Sequence, residues 1–145
     1  FLVNYSLLPR NMKGHIYTQS YLSINDNGII RIRKEGDISK LTIKTKNVGI
    51  SRSEFEYNIP MDDYEEIVRL SISETVKKTR YKVVYENKVW EVDEFHEKNN
   101  GLWIAEIELQ NENESFKKPD WLLEEITYDY RYMNANLSKH PYSQW

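Results

Sequence analysis

Ile29-Ile30-Arg31-Ile32-Arg33-Lys34 places two arginines on one face of an extended chain and two isoleucines on the other, because side chains alternate with period two along a strand. Outward from it the same alternation recurs. Thr42, Lys44 and Lys46 oppose Leu41 and Ile43, and Glu54 and Glu56 oppose Phe55 and Tyr57. Lys78, Arg80 and Lys82 oppose Thr79, Tyr81 and Val83, while Glu106 and Glu108 oppose Ala105, Ile107 and Leu109. The pattern predicts strands at Phe1–Tyr5, Ile16–Ile24, Ile29–Lys34, Lys40–Lys46, Glu54–Ile59, Thr75–Tyr85, Val89–Phe95 and Leu102–Leu109. Turn-forming residues separate several of them, as at Asn25-Asp26-Asn27-Gly28, Glu86-Asn87 and Asn99-Asn100-Gly101. Short loops imply antiparallel neighbours. Helical spacing is expected over Met61–Ser71, over Pro119–Glu125 and, more weakly, over Tyr130–Leu137. The fold class expected is α+β, built on one antiparallel sheet.

Segregation of charge makes these strands unusual. Same-face neighbours lie ~7 Å apart, where two like charges repel by roughly 2 kcal/mol at an effective dielectric near 20. Pairing Arg with Arg and Glu with Glu therefore costs stability unless something bound neutralises each set. Basic sets ask for a polyanion and acidic sets for a cation, together a metal-bound polyphosphate. About eight antiparallel strands could close into a barrel that collects the charged faces inside, with helices packed outside.

Composition narrows the function classes. The chain has 145 residues, of which 39% are hydrophobic and 30% charged, as expected of one globular domain spanning 1–145. A net charge of −3 supplies no global field for nucleic acid or a membrane surface. Without cysteine there is no disulfide, thiolate zinc site or cysteine nucleophile. No segment reads as a membrane span or signal peptide, so a cytoplasmic location is expected. The histidines and tryptophans read as surface and packing residues respectively.

An ordered set of short motifs then resembles the CYTH superfamily, the triphosphate tunnel metalloenzymes. It comprises Arg31-Ile32-Arg33, Leu41-Thr42-Ile43-Lys44, Glu54-Phe55-Glu56-Tyr57, Lys78-Thr79-Arg80-Tyr81, Trp90 to Phe95 and Ala105-Glu106-Ile107-Glu108-Leu109. The ending, with Pro119-Asp120-Trp121-Leu122 and Tyr132 to Leu137, is similar to that of short bacterial stand-alone members. The resemblance implies an eight-stranded antiparallel tunnel and hydrolysis of inorganic triphosphate or a related triphosphorylated compound. It implies Mg²⁺ or Mn²⁺ as cofactor and a monomer or homodimer. By position, Arg31, Arg33, Lys44, Lys78 and Arg80 correspond to phosphate-binding residues, and Glu106, Glu108 and Glu54 to metal ligands. Glu56 and Asp93 correspond to tunnel carboxylates near the water or metal, and Tyr21, in Gln19-Ser20-Tyr21-Leu22, to a tyrosine near the substrate.

One departure stands out. The family signature Glu-x-Glu-x-Lys ahead of an apolar stretch is absent, and the chain opens at Phe1-Leu2-Val3. The favoured expectation is a strand that continues upstream of Phe1; the alternative is a member lacking one metal-binding pair. Rival functions are a class IV type adenylate cyclase, a thiamine triphosphatase and, from a different class, a non-catalytic polyphosphate-binding module.

Overall fold

The computed structural model describes residues 1–46, 53–111 and 114–145. Its strands are β1 (Gly14–Asn25), β2 (Gly28–Glu35), β3 (Ile38–Thr45), β4 (Glu54–Ile59), β5 (Val76–Tyr85), β6 (Lys88–Phe95) and β7 (Trp103–Ile107). Among the described residues they form one antiparallel sheet in the order β4-β3-β2-β1-β5-β6-β7. Register carries the alternation across the sheet. Tyr21, Arg31, Thr42 and Glu56 form one row over four strands, and Arg80 faces Asp93 just as Glu91 faces Glu106.

Among the described residues the sheet is open and seven-stranded, which corrects the expected closed eight-stranded barrel. The candidate eighth strand, Phe1–Tyr5, makes only isolated bridges, Leu2 to Ile104 and Val3 to Leu122. It stops early because the Asn4 side chain accepts a hydrogen bond from the Ser6 amide and starts a 3₁₀ turn over Tyr5–Leu7. It also lies beside β7, at the opposite end of the sheet from β4. Segment 119–125 is not helical either. Trp121 and Glu124 accept hydrogen bonds from the Asn4 and Leu2 amides, and the Leu123 amide donates to Leu2. Local propensity yields to pairing that satisfies these backbone groups.

Two further expectations shorten. Helix α1 covers Met61–Ile67, with Asp62 and Asp63 at its positive end and Tyr64 buried, and the chain continues as a 3₁₀ turn over Val68–Leu70. It returns the chain from the β4 edge to the middle of the sheet, where β5 pairs with β1. Near the C-terminal end, a 3₁₀ turn over Tyr130–Tyr132 precedes the one-turn helix α2, Asn134–Leu137.

The apolar parities bury on both sides. Over β5–β7 the fully buried Trp90 meets Phe1, Phe116 and Trp121 edge-on. On the opposite, charged side, Val76, Phe95, Leu102, Ile104 and Leu137 form a second cluster. No helix among the described residues is long and apolar enough to cross a membrane.

Gly28 follows the β1–β2 turn at φ 146°, and a Cβ there would lie 2.1 Å from the Lys44 carbonyl oxygen. Gly28→Ala is therefore expected to cost about 2 kcal/mol in a denaturant titration. Gly36→Ala, at φ 57° with nothing within 4 Å, should cost about 1 kcal/mol. Equal losses would contradict the contact.

Candidate active site

Most of the charged strand residues share one face, and that face carries two ion-pair clusters. In the first, Glu56 on β4 receives Arg31 at 3.6 Å, Arg33 at 3.3 Å and Lys40 at 3.1 Å, and the Thr42 hydroxyl donates to it at 3.1 Å. Glu35 joins through Arg33 at 2.6 Å and Lys40 at 3.5 Å, and Lys44 pairs with Glu54 at 3.0 Å. Burial works to raise the Glu56 carboxyl, but Lys40, Arg33 and Thr42 outweigh it and hold Glu56 below its ordinary value.

In the second cluster, Arg80 on β5 reaches three carboxylates. Its Nε and Nη2 donate to the two Asp93 oxygens at 2.7 Å each, Nη1 pairs with Glu91, and Nη2 lies 3.3 Å from Glu106. Lys78 donates to Asp93 at 2.5 Å, with only 3% and 2% of the two side chains exposed. Burial opposes the Asp93 charge, yet the donors on Arg80 and Lys78 hold its carboxyl below the usual range. The Arg80 guanidinium also overcomes burial, held protonated by Asp93, Glu91 and Glu106.

Between the clusters, β1 supplies the floor. Gln19 donates its amide to the Tyr21 hydroxyl at 2.9 Å, and burial pushes the Tyr21 phenol up to about 12. Tyr21 is thus a neutral donor whose oxygen is already engaged, leaving its proton for another acceptor.

The structure brings Arg31, Arg33, Lys44, Arg80, Glu54, Glu56, Asp93, Tyr21 and Glu106 to this face. Lys78 belongs to it by parity but is almost inaccessible and spent on Asp93. Glu108 lies beyond the end of β7 and is exposed, so it does not share the ordered row of Glu106. Lys40, Glu35 and Glu91 belong to the clusters without having been singled out. They share parity with Thr42, Arg33 and Asp93, so the alternation itself was the signal.

Like-charged strands are also neutralised differently from the expectation. Acidic β4 lies next to basic β3 and one strand from β2, and β6 lies next to β5, so opposite charges compensate across strands. A ligand on this face must exchange with these pairs. The Glu56 set is partly exposed, and such pairs contribute about 0–1 kcal/mol, so it exchanges easily. Two donors remain over, since Arg31 Nε and Arg33 Nε are buried without a hydrogen-bond partner. Burial and the neighbouring Arg33 lower the Arg31 guanidinium from its ordinary value. An arriving anion would relieve both effects.

The oxygen donors suit a hard divalent cation. No three acidic or histidine side chains among the described residues form a ready cage. Glu91 and Glu106 face each other across β6–β7. That donor set fits an ion held by one or two carboxylates together with substrate phosphates, as Mg²⁺ commonly is.

Comparison with known proteins agrees with this geometry. The profile of the CYTH domain matches residues 11–142. An inorganic triphosphatase of Acetivibrio thermocellus is 44% identical over 146 residues, covering 100% of this chain and 94% of the relative. One from Nitrosomonas europaea is 32% identical over 124 residues, covering 83% and 82%. The crystal structure of an inorganic triphosphatase superposes with a TM-score of 0.73 at 29% identity, covering 95% of this chain and 93% of the other.

Proposed function

Because the chain belongs to the CYTH domain family, we propose that it is an enzyme that hydrolyses inorganic triphosphate to pyrophosphate and orthophosphate. The observation that carries the reading is the Arg31–Arg33 pair, two guanidiniums on a charged face with their Nε donors buried and unmatched. The names of two relatives, one at 44% identity over the whole chain, support the substrate.

In this reading Arg31, Arg33, Lys44 and Arg80 bind phosphate oxygens, the arginines by two-pronged contacts. Their fixed positive charge favours the spread negative charge of the transition state, since phosphoryl transfer is largely positioning and electrostatics. Lys78 and Asp93 act through Arg80, holding its guanidinium in place. Glu56, ionised, accepts a hydrogen bond from the attacking water, and Tyr21 donates its O–H to a phosphate oxygen. The bond between the terminal phosphorus and its bridging oxygen breaks as the water oxygen bonds to that phosphorus; the bridging oxygen leaves with pyrophosphate, and the water's proton passes to an orthophosphate oxygen. Glu106 with Glu91, or Glu54, would hold Mg²⁺ or Mn²⁺, which would supply neutralisation of phosphate charge.

A substrate panel tests this. Tripolyphosphate with Mg²⁺ or Mn²⁺ should release orthophosphate faster than ATP or thiamine triphosphate does, and excess chelator should stop the release. Cyclic AMP from ATP would replace the reading with a cyclase, and tight binding without turnover would replace it with a polyphosphate-binding module.

A further inference from the structure

Tyr17 lies on β1 between β2 and β5, and in register it faces Glu35 on one neighbour and Lys78 on the other. Its ring meets both clusters of the charged face. The Arg33 guanidinium carbon lies 5.7 Å from the ring centroid and that of Arg80 5.5 Å. Both fall within the range in which a cation is drawn to the negative face of an aromatic ring. These two arginines belong to separate carboxylate sets, Glu35 and Glu56 for one, Asp93, Glu91 and Glu106 for the other.

We propose that Tyr17 is a positioning residue for triphosphate binding, its ring fixing the spacing of the Arg33 and Arg80 guanidiniums across β1. The assignment rests on the reading that both arginines bind phosphate. Two long, like-charged side chains would otherwise spread apart and lose rotamer freedom on binding the anion. A shared ring offsets their repulsion beforehand without itself occupying any of their N–H groups. Burial and Glu35 raise the Tyr17 phenol against Arg80 and Arg33, so the ring acts as a neutral aromatic. Its role requires the ring face rather than the hydroxyl.

Steady-state kinetics with Mg²⁺ and tripolyphosphate test this on the whole chain. Tyr17→Ile should raise KM about 5- to 10-fold with a smaller change in kcat. Tyr17→Phe should restore the wild-type KM. Phenylalanine carrying one, two or three ring fluorines at position 17 weakens the ring quadrupole without changing its shape, and KM should climb with each fluorine. This series decides the matter if the isoleucine variant fails to fold. A flat fluorine series, a phenylalanine variant as impaired as Tyr17→Ile, or a wild-type KM in Tyr17→Ile overturns the assignment. A wild-type chain that leaves tripolyphosphate intact overturns the triphosphatase reading and this assignment with it. Turnover by wild type with a flat series overturns the assignment alone.

Discussion

Asp93→Ala is expected to lower the unfolding free energy by about 3–5 kcal/mol, because it strands the Lys78 ammonium in the interior. Lys78 and Asp93 are 3% and 2% exposed, the ammonium lies over the Phe95 ring, and Phe95 belongs to the second apolar cluster. Water cannot readily replace the lost carboxylate there. Removing both charges, as in Lys78→Met with Asp93→Ala, should cost less than the sum of the single losses by more than about 1 kcal/mol. Chemical denaturation of the four proteins gives the cycle, and additive losses would contradict the buried pair. Its pH dependence has a definite sign. The Asp93 carboxyl is depressed in the folded chain, so its contribution is complete above the unfolded value near about pH 4. It is lost as pH falls through the folded value. Asp93→Asn should remove that part of the acid limb.

Arg80→Ala is expected to lower kcat/KM for tripolyphosphate by about 10²–10³-fold, with KM raised and kcat reduced. One guanidinium here organises Asp93, Glu91 and Glu106, so its loss removes a phosphate contact and releases three carboxylates toward an anionic substrate. Arg80→Lys should recover little, because an ammonium lacks the fork that spans both Asp93 oxygens. Arg69, exposed on the 3₁₀ turn after α1, serves as the control, and Arg69→Ala should keep wild-type kinetics. A kcat/KM for Arg80→Ala within about threefold of wild type would remove Arg80 from the site, given the range attached to such contacts.

Much of this face was legible in the residues because period two depends only on neighbours in the chain. Arg31 and Arg33, Glu54 and Glu56, and Lys78 and Arg80 share faces by parity, and β4 was bounded by the same rule. Which strands adjoin is a non-local matter. Neither the pairing of Glu56 with Lys40 nor the centring of Arg80 among three carboxylates follows from alternation alone. Closure was not legible either, since Phe1–Tyr5 looks extended yet bridges only Ile104 and Leu122 before an asparagine-capped turn. Segment 119–125 shows proline and apolar spacing fit for a helix, but its backbone pairs with residues 2–4. Glu108 continues the parity of Glu106, yet β7 ends at Ile107.

The charged face as the seat of triphosphate binding is tested most directly by arginine side-chain NMR. Chain labelled with ¹⁵N-arginine would be titrated with tripolyphosphate without divalent ions, so that the ligand persists. The Nε–H signals of Arg31, Arg33 and Arg80 should shift together and saturate, those of Arg31 and Arg33 most, since their Nε groups lack partners. Those of Arg10, Arg69 and Arg131, exposed elsewhere, should stay in place. Saturable shifts confined to the exposed arginines, with Arg31, Arg33 and Arg80 unmoved, would contradict the account.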